Sequence, residues 1–197
     1  DWDRVKKSRS FQNGALTYME VVQRVLSGYG QSGVTDHATG GACIPEFLLQ
    51  YEESDWVFLR RLASHFGTYL LADATDACGK VYFGVPEISY GTVLDRQGYT
   101  MEKDMLHYAR VLEKEGVLSQ EASCWNVTVR FFLRMWETLT FNGIEAVVTA
   151  MRLHTEKGEL VYSYVLARRA GIRREKEKNP GIFGMSIPAT VMERSGN

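Results

Sequence analysis

Residues 45–72 read PEFLLQYEESDWVFLRRLASHFGTYLLA, an apolar run, an amphipathic run and a second apolar run with almost no loop between them. Ser54 is a good helix N-cap, and Asp55 sets a carboxylate in the first turn, beside the positive end of the helix dipole. From there Trp56, Leu59, Leu62, Ala63 and Phe66 recur at three- and four-residue spacing and make one apolar face, while Arg60, Arg61 and Ser64 fall on the other side. Gly67 then stops the helix with a left-handed cap. The flanking runs 47–51 and 68–72 are short, apolar and aromatic-rich, which predicts two strands of a small sheet covered by this helix.

Toward the N-terminus, Thr17 and Glu20 form a capping box ahead of an apolar stripe of Val21, Val22, Val25 and Leu26, so a first helix is expected over 18–27. The Gly-rich stretch that follows reads as a loop with a short strand around Val34, and no GKS or GKT follows it to make a phosphate-binding loop. Toward the C-terminus, TYLLA and KVYFG flank the turn-like DATDACG, which argues for a hairpin. Beyond Val85 the chain becomes rich in β-branched and aromatic residues, with turns at Asn142-Gly143 and Lys157-Gly158. Residues 144–153 and 159–167 are expected as an antiparallel ribbon of a barrel. The segment 101–116 fits either this β pattern or a helix with Met105, Leu106, Ala109 and Leu112 on one face.

The chain has 197 residues, 45% of them hydrophobic and 12% aromatic, enough for a sizeable core in one domain or two small ones. Its net charge of −1 gives no whole-chain signal for nucleic acid or an anionic membrane, and no apolar run approaches the roughly 20 residues of a spanning helix. Asp1 rather than Met opens the chain, and DWDRVKKSRSFQ reads as the end of one segment leading into another. Cys43, Cys78 and Cys124 are odd in number and widely spaced, and are expected as reduced structural thiols.

Candidate chemistry is sparse. Glu52, Glu53 and Asp55 cluster as metal or acid-base groups would, but a helix start explains them better. His37, His65, His107 and His154 show no HxxxH or HExxH spacing, and no GxSxG or catalytic cysteine motif occurs, so no catalytic, metal or cofactor residue is assigned. Trp2, Trp56, Trp125 and Trp136 are expected in the core rather than as base-stacking platforms. The run Arg168 to Lys178, RRAGIRREKEK, carries six basic and two acidic residues. It is expected as a solvated loop after a strand, with the lining of a channel for DNA or an effector as the alternative.

The pattern Gln-Tyr-x-Glu-Ser-Asp-x-x-Phe-Leu-x-Arg-Leu followed by Gly and an apolar strand, here Gln50 to Leu71, resembles VgrG and phage late-control D type proteins, which form the hub at the tip of contractile injection machines. Arg9 to Asn13 match the motif that leads out of that family's first barrel, Tyr18 to Leu26 match its short helix, and Gly143 to Val148, GELVYSYVL and Gly184-Met185-Ser186-Ile187 follow its second barrel and exit. The resemblance implies an α+β chain: 1–12 as the end of a preceding barrel, 13–84 as a small α/β domain, 85–178 as a mostly antiparallel β-barrel, and 179–197 as a linker toward an OB-fold and spike. It further implies a structural hub without enzymatic activity that is assembled in the cytoplasm into a tail or tail-like particle. The implied partners are copies of itself in a homotrimer, a tail tube protein, a spike and other baseplate proteins. Residues 131–141 and 144–151 are the expected trimer contacts. The other reading is the hub part of a tail-associated peptidoglycan-degrading enzyme.

Overall fold

The computed structural model describes residues 3–30, 33–45, 47–73 and 79–186. The first half runs β1 (Lys6–Phe11), α1 (Tyr18–Leu26), β2 (Val34–Asp36), β3 (Leu48–Ser54), α2 (Asp55–Ser64), β4 (Leu70–Ala72) and β5 (Val81–Phe83). Helix α1 begins where expected. The Thr17 hydroxyl accepts from the Glu20 amide at 3.2 Å, and the Glu20 carboxylate accepts from the Thr17 amide at 2.7 Å. Helix α2 is capped by the Ser54 hydroxyl, which accepts from the Val57 amide at 3.3 Å. It closes on Gly67 at φ 62°, with the Gly67 amide donating to Ser64 O and the Thr68 amide to Ala63 O.

The two helices share one core. Phe58, Leu59, Leu62 and Ala63 of α2 are fully buried against Val21, Val22 and Val25 of α1, Phe11 of β1 and Phe83 of β5. Phe11 stacks on Phe58 with centroids 5.9 Å apart, and Tyr18 meets Phe66 edge to face at 4.7 Å.

The structure corrects the expected surroundings of α2 in two ways. The strands on either side of it do not share a sheet: β3 pairs antiparallel with β1, whereas β4 joins β5 and β2 in a separate three-stranded sheet. A ten-residue helix advances the chain about 15 Å, enough to carry it from one sheet to the other. The segment 1–12 accordingly supplies β1 to the first of these sheets. Second, Arg61 and Ser64, expected on the side opposite the apolar face, are buried, because β3 and residues 174–179 cover that side. The β4–β5 hairpin pairs Leu71 with Tyr82 as expected, while its turn, and with it Cys78, lies outside the described residues.

The second half holds β6 (Ile88–Leu94), β7 (Tyr99–Glu102), α3 (Met105–His107), β8 (Cys124–Val129), β9 (Glu137–Phe141), β10 (Ile144–Glu156) and β11 (Glu159–Ala167) in a six-stranded sheet of order β6-β9-β10-β11-β8-β7. Every pairing is antiparallel except β6 with β9. The two edge strands are consecutive in the chain and separated by four residues. Those residues reach about 18 Å, whereas the edges of a flat six-stranded sheet lie about 24 Å apart. The sheet therefore rolls into a barrel-like form. Tyr99 of β7 packs edge to face on Phe141 of β9 at 5.3 Å, and the Asn142 amide donates to Leu94 O. Asn142-Gly143 and Lys157-Gly158, all at positive φ, make the tight turns that flank β10. The segment 101–116 divides between the two readings: 101–102 extend β7, and 105–115 are helical, capped by Asp104, with Val111 and Leu112 inward and Met105 and Leu106 exposed.

Leu59 and Leu153 test this placement. Leu59→Ala in the core should cost about 3 kcal/mol, and Leu153→Ala on the exposed ribbon less than about 0.5 kcal/mol, both read as urea midpoints at unchanged slope.

Candidate functional site

The three clustered carboxylates do separate structural work. Asp55 is fully buried and accepts hydrogen bonds from Lys7 at 2.6 Å, from Gln50 Nε2 at 2.9 Å, and from Arg9 and Tyr29. Burial would raise its carboxyl, but the hydrogen bonds from Lys7, Tyr29 and Gln50 and the charge of Arg9 outweigh burial and hold it below the ordinary carboxylate range. Glu53 pairs bidentately with Arg61, whose guanidinium also donates to Leu49 O at 2.7 Å and lies over the Phe58 ring. Glu52 is exposed, with a left-handed backbone at φ 45°.

The histidines are scattered in the same way. His37 lies beside Tyr82, His107 follows the α3 cap, and His154 is exposed on β10. His65 closes α2 with its Nδ1 3.0 Å from the Tyr18 hydroxyl. Burial, with Lys176 and Arg61 nearby, lowers its imidazole to about 4. Cys43 is an exposed free thiol, and Cys124 is half-buried, its thiol pushed up by burial and by Glu102 and Asp104. Among the described residues no group of three or more His, Cys, Asp or Glu side chains could hold a metal ion. Trp125 is buried, and Trp56 and Trp136 pack half-buried against core clusters; Trp2 lies outside the described residues.

The basic run 168–178 is a strap rather than a free loop. Arg169 donates to Val85 O, Pro86 O and Thr138 Oγ1, each at 3.0 Å, tying the end of β11 to the connection before β6. Arg173 pairs with Glu115 at 3.4 Å. Arg174 lies 5.2 Å over the Tyr69 ring, bonds to Glu177 and gives its amide to Gly67 O. The Glu177 amide reaches Ser64 Oγ at 2.8 Å, and Asn179 Nδ2 reaches Tyr51 O at 2.8 Å. Three of the six cations, Arg169, Arg173 and Arg174, thus serve the junction between the two halves or the C-terminal end of α2. The clue in the sequence was the interleaving of Glu175 and Glu177 with the basic residues, a pattern for internal pairing.

The exposed large apolar side chains are not spread evenly. Val93, Tyr99 and Met101 lie along β6 and β7, and Met151, Leu153 and Leu160 lie on the β10–β11 ribbon, with Phe131 and Phe132 close to it. Of these side chains, Phe131, Phe132 and Met151 lie within 131–141 and 144–151.

No family model and no curated protein matches the sequence. Solved structures do. An Escherichia coli protein, c3393, described as a component of the type VI secretion system with structural similarity to the T4 bacteriophage tail proteins gp27 and gp5, superposes over 91% of this chain with a TM-score of 0.67 at 14% identity. A 43 kDa tail protein of prophage MuSo2 from Shewanella oneidensis gives 0.58 over 83% of the chain at 12% identity. A tail protein from Neisseria meningitidis MC58 gives 0.56 over 85% at 11% identity. What they share with this chain is the fold. The chain spans 56% of the E. coli protein's length, 65% of the Shewanella protein's and 71% of the Neisseria protein's.

Two titrations probe this half of the molecule. The folded Asp55 carboxyl lies below its unfolded value of about 3.9, so its contribution is present above that pH and is lost as pH falls through the folded value. Asp55→Asn should lower stability at neutral pH by about 2–4 kcal/mol and flatten the acid limb of the urea-midpoint curve. His65 acts in the same direction, in a higher pH window. The unfolded imidazole takes up a proton near 6.5 and the folded one only near 4, so stability drops as pH falls through that window. His65→Gln should remove that part of the slope, and the His65 NMR signals should stay unshifted between pH 8 and 5.5, a range set by the ordinary imidazole value.

Proposed function

We propose that the chain is a structural component of a contractile tail or tail-like injection apparatus, a VgrG-like, late-control D type hub that joins the tail tube to the spike as a homotrimer. Its place is the baseplate of a phage tail, tailocin or type VI-like particle, and we assign it no catalytic role. The observation that carries this reading is the superposition over nine-tenths of the chain on a type VI secretion component that itself resembles gp27 and gp5. The match of 50–71 and 9–13 to the family's motifs supports it independently of the coordinates. The geometry is consistent with a load-bearing role, because the polar groups the sequence singled out are spent on internal pairing rather than converging on a cleft.

The direct test is binding to the tail tube protein of the same tail, purified and immobilised. Retention of the chain, and tails that fail to initiate tubes when its gene is deleted, are the expected results. Normal tails in the deletion strain would overturn the reading, whatever the binding assay shows.

A further inference from the structure

The strap that fastens the two halves also walls a cavity of about 290 Å³ between them. The first half contributes His37 and Ala38 after β2 and Phe66 and Thr68 after α2. The connection before β6 contributes Val85 and Glu87, and the strap contributes Arg169, Ile172 and Arg173. Ligand sites commonly span about 300–1,000 Å³, so this one has room for a small molecule and not for a length of chain.

The walls are held in place without a ligand. The His37 amide donates to Phe83 O at 2.8 Å, the Gly84 amide to Tyr69 O at 2.9 Å and the Thr68 amide to Ala63 O at 3.3 Å. Gly84 has φ 104°, and a Cβ there would lie 3.0 Å from both the His37 carbonyl carbon and the Ala38 Cβ. Only glycine lets the end of β5 pass so close to this wall.

The charges around the cavity are incompletely matched. Arg169 is half-buried, and among the described residues its guanidinium donates to two carbonyls and a hydroxyl but to no carboxylate. Arg173 meets Glu115 at 3.4 Å, yet its buried Nε makes no hydrogen bond among the described residues. A guanidinium has five N–H donors, so both arginines keep donors over, and a carboxylate is the partner that suits them best. Glu87 carries the opposite charge on the same cavity. It is exposed and makes no hydrogen bond or ion pair with any described residue. A molecule that bears both a carboxylate and an ammonium answers the two needs together. Thr68, only 6% exposed, adds a hydroxyl, and Phe66, Val85 and Ile172 offer apolar wall for a side chain.

We propose that this cavity binds a free α-amino acid with an apolar side chain. Its carboxylate meets Arg169 and Arg173, its ammonium meets Glu87, and its side chain lies against Phe66, Val85 and Ile172. Because both halves supply walls, an occupant fastens a junction that otherwise closes over a small apolar cluster.

L-Leucine is the probe. Titrated into the isotope-labelled chain, it should shift the amide signals of His37, Thr68, Glu87 and Ile172 along one saturable curve, and it should raise the thermal midpoint over the same concentrations. Isocaproate, which lacks the amine, and isopentylamine, which lacks the carboxylate, should each bind about tenfold more weakly or worse. Glu87→Gln should weaken leucine by about tenfold and leave isocaproate unaffected. Since Glu87 is exposed and unbonded, the same variant should keep the circular dichroism and thermal midpoint of the empty chain. Absence of any saturable shift up to the solubility of leucine would overturn the proposal and leave a water-filled cleft. Isocaproate bound as tightly as leucine would overturn it in favour of a plain anion site, and undiminished leucine binding by Glu87→Gln would remove the ammonium contact on which it stands. Shifts confined to residues away from the cavity would overturn it as well.

Discussion

A carboxylate removed from water must be surrounded by donors, and Asp55 gathers them from Lys7 and Arg9 on β1, Tyr29 beyond α1 and Gln50 on β3. Leaving any of these groups unpaired would cost several kcal/mol, since a buried charge without its partners is among the most expensive defects a fold can carry. The requirement fixes four pieces of chain around the first turn of α2. The same carboxylate also sits at the positive end of that helix, so one side chain both starts the helix and orients its neighbours. Glu53 repeats the device one turn along through Arg61. Between them they hold β3 to both ends of the helix, and the apolar cluster fills in behind.

The rolled sheet is organised differently, by apolar layering and by turns. Trp125, Phe141, Tyr164 and Leu166 form its interior, and the Tyr164 hydroxyl is satisfied by the Leu133 backbone. The two halves meet over a small third cluster, Val147, Ala167 and Ile172, with Tyr69, Val85 and Trp136 packed against it. Such a modest apolar contact gains from polar fastening, and the strap supplies it.

Much of the fold was legible in the sequence because its signals are local. The caps at Thr17 and Ser54, the stop at Gly67 and the turns at Asn142-Gly143 and Lys157-Gly158 act within a few residues, and each falls where spacing predicts it. What was not legible depends on contacts between distant segments. Nothing near Arg61 says that β3 will cover it, and nothing near Leu70 says that its strand will pair away from β3. The parallel match of β6 with β9 joins Ile88 to Glu137 with no intervening repeat to betray it. As for the candidate site, Asp55 does stand in the first turn of α2, though its burial has no local signal, whereas Glu53 pairs with Arg61 and Glu52 is exposed. The basic run reads as a solvated loop because charge density is visible in a sequence and its internal acceptors, backbone carbonyls above all, are not.

The strap also sets an order of events during synthesis. Asn179 fastens to Tyr51 and Glu177 to Ser64, partners separated by 128 and 113 residues. At about 5–20 residues per second, the helical half is on the order of ten seconds old before its own clasp exists. During that interval the C-terminal end of α2 and the flank of β3 stand open, and any chaperone or neighbouring nascent chain that fits them competes with residues not yet made. A segment translated more than a hundred residues later is thus the one that closes the helical half.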